Sequence, residues 1–122
     1  MSAIGTLAAV SLDCQDPAAL ADFYRQVTGW EVVFSSENFT YLAGSDGAVR
    51  LSFQRVPDHP RPSWPDSAKQ FHLDFSVPDL DKAEQQLLEL GATKPDFQPG
   101  GDKWRVLLDP AGHAFCITTY TG

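Results

Sequence analysis

The chain's clearest chemical grouping begins at His72. In His72-Leu-Asp-Phe-Ser-Val-Pro-Asp79 the residues alternate, which places His72, Asp74 and Ser76 on one face of a predicted strand. Leu73, Phe75 and Val77 take the other face. Histidine changes charge nearest neutrality, so His72 could move a proton or touch a ligand. It could equally hydrogen-bond a neighbour at the start of its strand. Asp74 can orient it only where the backbone departs from simple side-by-side i,i+2 placement. Arg50, Ser52 and Gln54 share a face of another predicted strand and could supply polar contacts to a small organic ligand. Asp13 lies on the polar face of Ala9-Val-Ser-Leu-Asp-Cys14. Trp104 suits either a pocket wall or packing beneath a sheet. Cys116 is either a small buried hydrophobe or a thiol nucleophile, and the second role needs a contacting base.

Familiar catalytic motifs are missing from the sequence: it has no Gly-x-Gly-x-x-Gly, phosphate-binding loop, His-Glu-x-x-His, Gly-x-Ser-x-Gly or Cys-x-x-Cys. His113, in a Gly-His turn, and His59, among prolines, read as turn and surface residues.

Two similar halves must position these groups. In the first, the strand over 9–14 leads to Asp16-Pro17, an N-cap followed by proline at the first helical position. Leu20, Phe23, Tyr24 and Val27 form an apolar stripe, and Gly29 ends the helix. Strands are predicted over 30–34, 39–43 and 49–54, with Gly44-Ser-Asp-Gly47 turning between the last two. In the second half, the strand from His72 runs into a helix with Leu80, Ala83, Leu87 and Leu90 at helical spacing. Asp79 is one candidate N-cap, and Asp81 with Glu84 could instead form a capping box. Gly91 suits a left-handed ending. A short strand over 92–94 and longer ones over 103–108 and 113–118 follow, with Asp109-Pro-Ala-Gly112 as a turn. Each half reads β-α-β-β-β, an internally duplicated α+β fold. The expected modules span 7–56 and 70–119 within a single domain of residues 1–122, joined by a proline-rich linker over 57–69 that contains Trp64.

The chain has 122 residues, enough for a real core, and a net charge of −7, which disfavours nucleic acid and anionic lipid. No apolar run approaches a membrane span and no secretory signal is read, so a cytoplasmic protein without membrane association is expected. Its two cysteines are expected to be reduced thiols.

Residues 7–119 resemble the glyoxalase/bleomycin-resistance/extradiol-dioxygenase (vicinal oxygen chelate) superfamily, most closely its small bacterial glyoxalase-like domain proteins. The likeness rests on Leu12 to Gly29, Trp30-Glu-Val-Val, Leu51-Ser-Phe-Gln-Arg-Val, His72-Leu-Asp-Phe-Ser-Val-Pro-Asp79, Leu90-Gly-Ala and Asp109-Pro-Ala-Gly-His-Ala-Phe-Cys116. It implies two βαβββ modules forming curled mixed sheets around a cavity. It also implies metal-ligand slots at Ala9, Ser52, His72 and Cys116, of which only His72 keeps a usual ligand type.

On this basis the expected pocket comprises Asp13, Arg50, Ser52, Gln54, His72, Asp74, Trp104 and Cys116, with His72 as the candidate catalytic group. Ala9 cannot ligate and Ser52 is a poor ligand, so no metal and no cofactor is expected. A zinc ion on His72 and Cys116 would need further donors from Asp13, Asp74 or Gln54. The expected function is metal-independent binding or sequestering of a small organic molecule, as in drug-resistance members. The alternative is a lyase, isomerase or dioxygenase-like enzyme using His72 as acid/base or in an atypical metal site. A purely structural or protein-interaction role is the third reading. A small organic molecule is the expected partner, with no nucleic acid and no membrane; a homodimer stays open.

Overall fold

The computed structural model describes residues 7–61 and 72–119, which fall in two compact units, 1–59 and 60–122. Most of the expected linker, including Trp64, lies outside the described residues, as does the predicted start of the second module at 70.

In the first unit, β1 (Ala9–Cys14) leads to α1 (Pro17–Thr28), followed by β2 (Glu31–Ser35), β3 (Phe39–Ala43) and β4 (Arg50–Arg55). The Asp16 carboxylate accepts from Ala19 N–H at 3.1 Å, and Pro17 opens the helix where its missing N–H costs nothing. Gly29 ends it at φ 74°, where its N–H donates to the Arg25 carbonyl at 2.8 Å. Leu20, Phe23 and Tyr24 are buried, and Tyr24 stacks on Phe53 of β4 with centroids 5.6 Å apart. The sheet is therefore covered by helix on the face carrying Leu12, Leu42, Leu51 and Phe53. β1 runs parallel to β4, with Ala9 opposite Arg50 and Asp13 opposite Gln54.

The second unit contains β5 (Leu73–Ser76), α2 (Leu80–Glu89), β6 (Trp104–Leu108) and β7 (Ala114–Thr118). Asp79, rather than Asp81, caps α2, accepting from Lys82 N–H at 3.0 Å. Asp81 and Glu84 are instead engaged by Arg105 of β6, at 2.6 and 3.3 Å. The hydrogen bond that Arg105 donates to Asp81 is the main cause holding it more firmly protonated than an ordinary guanidinium. Ala83 and Leu87 are buried from the helix, while Phe115 and Ile117 are fully buried from β7. Phe75 meets Phe115 edge to face at 5.8 Å.

Two expectations need correction. The sheets do not curl round a cavity: their strand orders are β1-β4-β3-β2 and β5-β7-β6, both open and each with two edge strands. Closure would require the last strand to pair with the first, and the edges are otherwise shaped. A register shift between Val32 and Phe34 interrupts β2. The free side of β6 is occupied by the Gln98 amide, which accepts from Val106 N–H at 3.0 Å and donates to the Val106 carbonyl at 2.9 Å. The predicted strand over 92–94 is reduced to a single bridge, Thr93 to Leu108, so the second unit reads β-α-β-β among the described residues. Pro95, lacking an N–H, follows at once, and Gln98 supplies the bonds that a longer strand would have made.

Candidate metal centre and adjoining pocket

Parallel pairing of β5 with β7 sets Asp74 opposite Cys116, and antiparallel pairing of β6 with β7 sets Val106 opposite Cys116. Residues opposite one another share a sheet face, so Asp74 and Cys116 emerge together, away from Leu73, Phe75, Phe115 and Ile117. His72 immediately precedes β5 and leans back over the same face. Its Nδ1 lies 2.8 Å from Asp74 Oδ1 and 3.8 Å from Cys116 Sγ. The three donor atoms lie within 4.8 Å of one another. Cys116 is buried at 8% exposure, whereas His72 and Asp74 are open to solvent.

Both partners address the same imidazole nitrogen. A triad in which a carboxylate fixes one ring nitrogen while the other meets a thiol requires opposite nitrogens. This arrangement is instead a convergence of one nitrogen, one oxygen and one sulfur. Cys, His and Asp are all ordinary zinc ligands, and two donors on one ion at about 2.0–2.3 Å stand roughly 3.5 Å apart at the tetrahedral angle. The 3.8 Å nitrogen–sulfur spacing already suits such a bite, and the 2.8 Å hydrogen bond would open modestly. The residues fit a divalent ion of the zinc type.

The cluster forms part of a pocket of about 890 Å³ lined by His72, Asp74, Cys116, Asp102, Lys103, Trp104, Thr118 and Thr119. Trp104 is half-buried, and Gly100 lies against it so closely that an added Cβ would collide with its ring and its carbonyl oxygen. Lys103 donates its backbone N–H to the Gly100 carbonyl at 3.1 Å, fixing the turn into β6.

Of the residues expected in a pocket, His72, Asp74, Trp104 and Cys116 gather here. Asp13, Arg50, Ser52 and Gln54 belong to the first unit and are absent from this pocket's lining. There Asp13 and Gln54 are exposed partners on β1 and β4, Arg50 is exposed, and Ser52 is buried opposite Ser11 and Tyr41. Asp102, Lys103, Thr118 and Thr119 were not anticipated. Thr118 could have been found by continuing the alternation two residues beyond Cys116.

The described residues form a pair of α+β modules with mixed sheets, the second bearing a His-Asp-Cys cluster. The sequence model of the glyoxalase-like domain family matches residues 9–118, and the chain belongs to that family. Among solved structures, a glyoxalase/bleomycin resistance protein/dioxygenase family enzyme from Burkholderia phytofirmans PsJN is 25% identical, covering 93% of this chain and 97% of that one, with a TM-score of 0.68. A glyoxalase-related enzyme from Fulvimarina pelagi is 20% identical, with 94% and 88% covered and a TM-score of 0.66. The fosfomycin resistance protein FosX from Listeria monocytogenes, a mutant complexed with Mn(II) and 1S,2S-dihydroxypropylphosphonic acid, is 15% identical, with 98% and 95% covered and a TM-score of 0.72. No curated protein sequence matches. No helix among the described residues is long and apolar enough to cross a membrane.

The metal-independent reading is corrected at this point. It followed from Ala9 and Ser52 replacing donors at two of the four inherited slots. Asp74, outside those slots, supplies a third candidate donor beside His72 and Cys116.

Proposed function

We propose that the protein is an enzyme of lyase, isomerase or dioxygenase type acting on a small organic molecule in the second unit's pocket, with His72, Asp74 and Cys116 holding a divalent ion. The observation carrying this reading is that Asp74 and Cys116 both point at His72 Nδ1, which can carry only one proton. A cation at the convergence would satisfy all three donors at once. Thiolate softness favours zinc over the manganese found in FosX, whose likeness supports the shared fold alone. Bound there, such an ion would supply Lewis-acid polarisation of a substrate oxygen. The names of the structural relatives support small-molecule chemistry.

The 2.8 Å bond to Asp74 favours a second reading, His72 as general base. If Asp74 accepts the Nδ1 proton, Nε2 becomes the basic nitrogen and Asp74 fixes the tautomer.

Metal analysis of protein purified without added metal, followed by titration with Zn²⁺, separates the two. Stoichiometric zinc that is lost in both Cys116→Ser and His72→Ala supports the metal centre. Protein that takes up no zinc sinks it and leaves the acid/base reading.

A further inference from the structure

The His-Asp-Cys cluster accounts for only one end of the pocket. At the other end Trp104 lies opposite Thr118, two residues along β7 from Cys116. At a strand rise of roughly 3.3 Å per residue, that level stands about 7 Å from the cysteine. The length matches one ring carrying one substituent. Trp104 offers such a ring an aromatic wall, held in place against Gly100.

Lys103 lines the same end. Its ammonium makes no ion pair among the described residues, although Asp102 is its neighbour in sequence. In the same unit Lys94 and Arg105 are both taken up by Glu84, at 3.0 and 3.3 Å. Lys103 is thus an uncommitted cation beside an aromatic wall, with the Thr119 hydroxyl as a further donor, while the Thr118 hydroxyl donates to the Lys103 carbonyl at 3.4 Å. Asp102 is the only other charged lining residue outside the cluster among the described residues. An ammonium ligand drawn to it would sit beside both Lys103 and the proposed divalent ion, an unfavourable pair of like charges.

We infer that the pocket takes a small organic acid one ring in length, its flat body on Trp104, its acid group on Lys103 and its reacting end at the His72–Asp74–Cys116 cluster. This deepens the function proposed above and rests on it for the reacting end.

The test uses benzoate, benzylamine and benzyl alcohol as size-matched probes, titrated into ¹⁵N-labelled full-length protein, both zinc-loaded and chelator-treated. Benzoate should shift the Trp104 indole N–H and the Lys103 and Thr118 amides. It should bind about tenfold more tightly than benzyl alcohol, the worth of one charge-assisted hydrogen bond. Lys103→Met should abolish that advantage and Lys103→Arg should retain it; both replace an exposed side chain and leave the core untouched. The inference is overturned if benzylamine binds as tightly as benzoate, if benzoate produces no shifts, or if its advantage survives Lys103→Met. Failure of zinc uptake would remove the metal reading alone, because the Lys103→Met comparison is also made in chelator-treated protein.

Discussion

The Cys116 sulfur stands 3.8 Å from Nδ1 of His72, and the contact depends on the parallel register of β5 and β7. Cys116 is buried among rigid strand neighbours, while His72 precedes its strand and is exposed. The thiol is therefore the fixed member of the cluster and the imidazole the adjustable one. Cys116→Ser should lower zinc affinity by more than about 100-fold, beyond the roughly 10–100-fold that loss of an outer-shell partner costs. Cys116→Asp should shift preference from zinc toward manganese, since it exchanges a soft donor for a hard one. Competition titration of the two metals against one chelator reads both effects.

Arg105 ties β6 to α2 through Asp81 and Glu84. Arg105→Ala should cost about 1 kcal/mol in urea unfolding, diminishing with added salt, because Asp81 is largely exposed. Arg105→Lys should recover only part, as an ammonium cannot span both carboxylates as a guanidinium fork does. The raised pKa of Arg105 also fixes a sign. Its stabilisation is fully present below the ordinary arginine value and is lost only as pH rises through the higher folded value. Arg105 itself therefore adds no slope to stability between pH 5 and 9, and the wild-type minus Arg105→Ala difference should show none from guanidinium titration.

Gln98 acts as a substitute strand at the outer edge of the second sheet. Its side chain meets both backbone groups of Val106, which is 2% exposed, and donates as well to the Pro95 carbonyl at 2.9 Å. Gln98→Ala leaves those buried groups without their partner and should cost about 1–3 kcal/mol. Hydrogen exchange locates the effect: the Val106 amide should lose protection, while Leu107, fully buried on the other face, should change less.

Much of the architecture was legible because local rules and tertiary packing agree. Asp16-Pro17 and Gly29 mark α1 by chemistry that acts within one helical turn, and the apolar stripe between them is the stripe that is buried. The faces of β5 and β7 followed from alternation alone. What escaped depends on register and on irregular backbone. Residues i and i+2 of a regular strand stand too far apart to hydrogen-bond, so a 2.8 Å contact between His72 and Asp74 requires His72 to lie just outside β5. That Cys116 would stand beside His72 was implied by the family likeness rather than by alternation, because it depends on which strand pairs with β5. Gln98 gave no signal, since a glutamine in a proline- and glycine-rich loop looks the same whether it is solvated or replaces a strand. Curled sheets were expected from family likeness rather than from any residue, and the open edges at β2 and β6 overturn that expectation.

Gly100 and Trp104 provide the sharpest test of how the pocket wall is held. A methyl group at Gly100 would meet both the indole ring and the carbonyl oxygen of Trp104. The ring could rotate away, but the carbonyl belongs to the backbone of β6 and cannot move without disturbing the pairing of Trp104 with Thr118. Gly100→Ala should therefore destabilise by about 1–3 kcal/mol and alter the near-ultraviolet dichroism of Trp104. Placing Gly100→Ala in a Trp104→Ala background separates the two clashes. Removing the ring should relieve part of the cost, with a coupling of about 0.5–3 kcal/mol for contacting residues, while the collision with the carbonyl remains. Full additivity would mean that the ring is not held by Gly100. Complete rescue would mean that the backbone of the 100–103 turn yields freely, and that the wall is set by the indole alone.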